Sequence, residues 1–424
     1  MKRFALVRFS PLVLGFCLAQ AGHDTPTPRH GRDAGEVIAI LPTRPAPVAG
    51  QDLAERQRQL RADPTNAELA ADVVERLIRV ARLDADPRHL GQATAALAPW
   101  WDLAQPPAAL LTLRGVIRQS LHDFARAEAD LRAATRANPQ DGRAWLQLFA
   151  VLQTRGEYDV ARTLALPLAR TAPRLVALTA AATLGSLTGD ARRCRDQLLT
   201  ALDAEPAAPV DQRAWAATSL ADMSERLGDI AAADHWYRQA LDGSAGEVFV
   251  RAAYADFLLD RQRFAEVRSL LATHKEADAL LLRLALAEAQ GAATRPAAGE
   301  WPLRRQFRLR LAESGLRGES VHQREEALYQ LRLAHDATKA LGLAQANWQL
   351  QREPIDARLL LQAAAAAGQP EAARPVLEWM ARTRIEDVRL EAAAQSLPAE
   401  LHSVGAVAPA SIREASTEAH PSES

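Results

Sequence analysis

Cysteine is close to absent: Cys17 and Cys194 are the only two in 424 residues. A fold stapled by disulfides is thereby excluded, and core packing has to hold the chain together. Aromatic side chains make up only 5%, too few for the aromatic and β-branched strands of a β-sandwich. Lysine occurs only as Lys2, Lys275 and Lys339, so basic charge rests on arginine, and the formal net charge is −1. Without a basic surplus, no nucleic-acid partner is expected. No apolar run reaches the ~18–20 residues that span a bilayer. Missing too are HExxH, GxSxG, a P-loop and a GxGxxG with an acidic ribose partner. The chain is expected to be non-enzymatic, with no catalytic residue and no cofactor.

What is abundant is alanine, about a fifth of the chain, the residue of highest helix propensity and small bulk. Closely packed helices follow from that composition. Lys2, Arg3 and Arg8 precede a short apolar stretch, Pro11 to Leu18, and then Ala19-Gln20-Ala21. This pattern reads as a signal peptide over 1–21, cleaved after Ala21, which sends the chain to a secreted or periplasmic location. Leu14-Gly15-Phe16-Cys17 loosely resembles a lipobox. Phe16 stands where a small residue is needed, so a lipid anchor at Cys17 is the lesser alternative. Cys194, flanked by Arg193 and Arg195, is read as a small packing residue. Residues 22–50 are proline-rich and read as an extended linker; 403–424 are rich in Ala, Ser, Glu and Pro and read as a disordered tail.

Between these ends the chain repeats itself. Placing Ala108–Asp141 over Gly142–Leu175 sets Leu111 on Trp145, Phe124 on Tyr158, Ala127 on Ala161 and Pro139 on Pro173. Further units carry Gly189-Asp190 with Cys194, Gly228-Asp229 with Ala233, Asp336 with Ala340, and Gly368 with Ala373. Ala127 and Ala161 supply small residues that let two helices approach, while Phe124 and Tyr158 fill the space between units; Gly115 stands at a repeat position of its first helix. Asp123, Asp190 and Asp229 stand where they N-cap the second helix of a pair, and Gly156 and Gly228 stand at the turns. Pro99, Pro167 and Pro375 are expected to kink or shorten second helices.

The 34-residue spacing and this residue order resemble tetratricopeptide (TPR) repeats. The likeness is strong over 108–260, fair over 321–386 and weak elsewhere. The block from Arg324 to Pro354 is similar to the C-terminal repeats of secreted bacterial TPR proteins. The resemblance implies an all-α, right-handed solenoid of antiparallel helix pairs, in two blocks, 51–290 and 302–402, joined by a loop or hinge at 291–301.

It also implies that the first helix of each pair lines a concave groove. In the unit counted from 214 the groove positions are Trp215, Thr218, Asp222, Glu225 and Arg226; in that from 248 they are Phe249, Ala252, Asp256, Leu259 and Asp260. Trp215/Phe249 and Asp222/Asp256 recur at the repeat spacing, so an aromatic ledge beside an acidic strip is expected. Such a groove suits a peptide with apolar and basic side chains, and Trp215, Asp222, Glu225, Phe249, Asp256 and Asp260 form the expected partner site. Burial of the aromatics in the core and solvation of the acids is the competing account. Trp348 and Arg352, four apart, are placed either to stack on one another or to pack separately. His322, Glu325 and Glu326 share a helical face, but a polar face paired with Arg324 and Arg332 accounts for them, so no metal is expected. The function expected is an exported scaffold or adaptor of the bacterial cell envelope that binds a protein or peptide. A periplasmic module of a polysaccharide-export system is the alternative; a metal-handling protein or enzyme is the second.

Overall fold

A computed structural model describes residues 48–84, 88–243, 248–291, 300–316 and 323–401. The expected signal peptide, Cys17, His322, the tail and most of the 22–50 and 291–301 segments lie outside the described residues. The described residues are all-helical and repeat-like, with no strand among them. Four helices open the array: α1 (Val48–Ala62), α2 (Ala67–Asp84), α3 (Arg88–Ala96) and α4 (Ala98–Trp101). Pairs follow: α5 (Ala108–Ser120) with α6 (Phe124–Ala137); α7 (Gly142–Thr154) with α8 (Tyr158–Arg162) and α9 (Ala165–Thr171); α10 (Arg174–Ser186) with α11 (Ala191–Ala204). Next come α12 (Val210–Arg226) with α13 (Ile230–Gly243), α14 (Val248–Asp260) with α15 (Phe264–Leu271), and α16 (Asp278–Gln290) with α17 (Pro302–Leu316). The last are α18 (Gln323–Tyr329), which runs through a π turn at Gln330–Ala334 and pairs with α19 (Ala337–Leu350); α20 (Pro354–Ala366); α21 (Arg374–Thr383), entered through a 3-10 turn; and α22 (Val388–Gln395).

One turn recurs between the helices of a pair. A residue in the left-handed region closes the first helix: His122, Gly156, Gly189, Gly228, Gln262, His335 and Gly368. The N–H of the following residue then reaches back to a first-helix carbonyl, as in Glu157 to Leu152 (2.8 Å), Asp229 to Ser224 (2.9 Å) and Arg263 to Leu258 (2.9 Å). This closure satisfies carbonyls that a helix end otherwise leaves bare. Asp123, Asp229 and Asp336 then cap the second helix through their side chains, to the N–H groups of Arg126, Ala232 and Lys339. Asp190 makes no such cap and pairs with Arg193 instead. The N–H of Ala191 donates to Glu386, at 2.6 Å, from far along the chain.

Packing follows the small residues. A Cβ at Gly115 would lie 2.7 Å from Leu131 Cγ, so glycine lets α6 close on α5. Ala127, Ala161 and Ala233 are fully buried, with Phe124 and Tyr158 against their neighbours in the core. Trp145 is partly buried, its Nε1 donating to the carbonyl of Pro139. Pro173 is the residue before α10. Pro99, Pro167 and Pro375 each sit in the first turn of a restarted helix, α4, α9 and α21, where a missing N–H costs nothing.

The largest apolar core is not confined to one half of the chain. It joins Phe124, Phe149, Tyr158 and Leu184 to Ala344, Leu360, Val376 and Leu390. Trp348 packs edge-on against Trp379, with ring centroids 5.4 Å apart, so it meets another indole within the core rather than a guanidinium. The blocks 51–290 and 302–402 thus share a hydrophobic core, and α20–α22 lie against the turns of the middle pairs.

A buried charge cluster fixes the start of the array. Arg114 pairs with Asp130 through two bonds (2.7 and 2.8 Å) and donates to the carbonyls of Trp100, Trp101 and Leu103; Arg118 shares Asp130. Removing the carboxylate leaves two cations with their counter-charge gone. Asp130→Asn should lower the unfolding free energy by about 3 kcal/mol in urea titration, whereas a change below about 0.5 kcal/mol, the size of an ordinary surface effect, would refute this role.

Candidate functional site

First helices α7, α10, α12, α14, α16 and α18 present one wall of a cleft of ≈ 160 Å³. The other wall is the segment Arg352–Arg358, which enters α20, together with Asp387 and Arg389 at the start of α22. Leu187, Met223, Phe249, Ala252 and Ile355 give the cleft apolar surface; Gln153, Thr183, Ser186, Thr218 and Ser219 give it neutral polar groups.

Of the six residues expected to form a partner site, Asp222, Glu225, Phe249, Asp256 and Asp260 all line this cleft. Trp215 is 4% exposed and belongs to the apolar core. The acids are not free. Glu225, itself 3% exposed, accepts from the Tyr237 hydroxyl (3.1 Å) and pairs with Arg261 (3.2 Å) and Arg389 (3.0 Å). Asp222 pairs with Arg226 (2.9 Å), whose guanidinium also donates to the carbonyl and hydroxyl of Ser186. Asp256 forms a two-bond pair with Arg283 (2.6 and 2.9 Å), and Asp260 pairs with Arg358. The basic groups that the acidic strip was expected to draw from a partner come, in Arg358 and Arg389, from the C-terminal helices of the same chain.

Where α20 begins, Arg324 binds Asp356 (2.6 and 2.7 Å), Glu353 (2.5 Å) and Gln351 (2.8 Å). Glu353 and Asp356 close a capping box. Arg352 extends the seam by backbone, its N–H donating to Thr154 and its carbonyl accepting from the Tyr158 hydroxyl (2.9 Å). Burial holds Glu225 above the usual carboxylate range although Arg389 and Arg261 pull it down. Burial likewise raises Asp256 against Arg283, and pushes Glu353 up to about 7 against Arg324.

Helix-face position found the acids and Phe249, since these share the first-helix register. It also chose Thr218 and Arg226, which line the cleft. Ser219, Arg283, Arg352, Arg358 and Arg389 were missed. The first two fall between groove positions, and nothing in the repeat spacing says that 352–389 folds back over α12 and α14. Glu325 is buried and faces Arg283 at 3.8 Å; among the described residues no group of side chains is arranged to hold a metal. No helix among them is long and apolar enough to cross a membrane. No protein-family model matches the chain, and no curated protein matches it.

The Glu353 shift carries a signed pH dependence. A carboxyl raised in the folded state binds its proton more tightly there than in the unfolded chain. Its contribution is complete below about 4.5 and is lost as pH rises to about 7. Glu353→Gln keeps a cap acceptor but cannot ionise. Urea titrations from pH 4.5 to 7.5 should show this variant losing less stability than the parent over that interval, by about 1–3 kcal/mol. Parallel curves would refute it.

Proposed function

We propose that this chain is a TPR-like, right-handed α-solenoid that serves as an exported, non-catalytic adaptor of the bacterial cell envelope. It takes a protein segment of apolar and arginine-rich character into its concave groove. The observation that carries the reading is the strip of Asp222, Glu225, Asp256 and Asp260, held by arginines along one face. Arg358 and Arg389 sit on that strip as a partner's basic side chains would. The recurring turns at His122, Gly156, Gly189, Gly228, Gln262, His335 and Gly368 support a stacked array, in which each pair buries its apolar face only against its neighbours. A charged, partly apolar groove closed from within suits exchange: a partner segment competes with α20–α22 for the same carboxylates.

Tagged full-length protein, crosslinked mildly in the native envelope and analysed by mass spectrometry, should retain a reproducible envelope protein. Arg358→Gln frees Asp260 and should increase that retention several-fold. Retention of background alone by both forms would refute the adaptor reading; equal retention of a specific protein would refute the competition.

A further inference from the structure

Charge pairing inside the cleft points to a ligand of a different kind from the one its acids suggest. Every carboxylate lining it has an arginine within 4 Å, the longest approach being Glu325 to Arg283 at 3.8 Å. A cationic ligand would meet carboxylates whose charge an arginine already opposes. Arg352 is the exception among the arginines of the lining. Its backbone is fixed between Thr154 and the Tyr158 hydroxyl, and its stem lies against Gly156, where a Cβ would come within 3.0 Å of Arg352 Cδ. Arg352 lines the cleft, and neither of its recorded hydrogen bonds uses the guanidinium. The adjoining Glu353 is held by Arg324 at 2.5 Å, so the neighbour in sequence turns to another arginine.

A second group is unsatisfied. Ser219 is 2% exposed, lines the cleft, and its hydroxyl has no hydrogen-bond partner. Buried polar atoms are nearly always paired, and leaving one unpaired is unfavourable. The cleft also offers apolar surface, Phe249 and Met223 among it. A cavity of ≈ 160 Å³ matches the roughly 150 Å³ that takes a benzene ring, so it suits a molecule built on a single ring.

We infer that the cleft binds a small organic carboxylate with an apolar body, its carboxylate on the Arg352 guanidinium and the Ser219 hydroxyl donating to a ligand oxygen. Arginine offers a planar, two-bond match to such a group, and apolar walls with a few placed polar groups are the usual make-up of a small-molecule site. The inference goes beyond the adaptor reading and stands or falls without it, because it is read from direct binding and not from capture.

The test is calorimetric titration of the full chain with phenylacetate, phenylacetamide, 2-phenylethylamine and inorganic phosphate, four probes that separate charge, shape and anion type. Phenylacetate should bind, and the amide and amine should bind at least tenfold more weakly. Arg352→Gln should weaken phenylacetate roughly tenfold, about the 1.4 kcal/mol that factor represents, Arg352→Lys should restore part of it, and Ser219→Ala should weaken it several-fold. Helicity by circular dichroism accompanies each variant. Should Arg352→Gln unfold, Ser219→Ala, which removes only an unpartnered hydroxyl, carries the decision. Binding of 2-phenylethylamine as tight as that of phenylacetate would overturn the inference. So would phosphate as the tightest probe, no heat from any probe at millimolar concentration, or indifference of phenylacetate binding to the folded variants.

Discussion

Glu225 beneath Arg389 is the contact on which the arrangement of this molecule turns. A carboxylate almost wholly removed from water on α12 meets a guanidinium from α22, with Tyr237 and Arg261 completing its shell. Buried ion pairs add little net stability, because desolvation offsets most of the attraction. Their force lies in what they forbid: shifting α22 by one helical turn would take Arg389 from Glu225 and leave Arg261 as its one cationic partner. Apolar burial around Trp348, Trp379 and Val376 supplies the free energy of closure. The charges decide where the closing helices come to rest.

Several features make sense only together with that closure. Left-handed turns at Gly156 and Gly189 bring backbone close enough for Arg352 and Arg384 to pack on them, and side chains at either position would push those residues away. Glu386 caps α11 in place of Asp190, so a helix in the middle of the chain is completed by a residue near its end. The turns of α7, α10 and α12 are covered by later residues of the same chain, Arg352, Arg384 and Val388. The cleft between them carries buried charge pairs together with apolar surface from Phe249 and Met223.

Much of the fold was legible in the sequence. The spacing of Phe124 and Tyr158, Ala127 and Ala161, and Pro139 and Pro173 marks helix pairs because each position answers a local demand of packing or turn geometry. The turns at His122, Gln262 and His335 were hidden, since a left-handed residue need not be glycine when the reach-back hydrogen bond and the cap hold the chain there. Pro167 was rightly disruptive, yet the helix resumes around it. The site was legible in part. Asp222, Glu225, Phe249, Asp256 and Asp260 share the groove register and do share a cleft. Trp215 lies in α12, which at 17 residues is longer than the 13-residue first helices α7, α10 and α14, and there the indole falls in the core. Arg352, Arg358 and Arg389 carried no local signal, because their role arises from a long-range return of the chain that repeat periodicity does not encode.

The central claim, that α20–α22 are seated on the middle helices through the carboxylates of α12 and α14, is tested most directly by a double-mutant cycle between Glu225→Gln and Arg389→Gln in equilibrium urea unfolding. Residues in direct contact within a buried network couple, whereas distant residues add. The account predicts a coupling free energy of about 1–3 kcal/mol between these two positions. Additivity within about 0.3 kcal/mol, with all three variants folded, would contradict it.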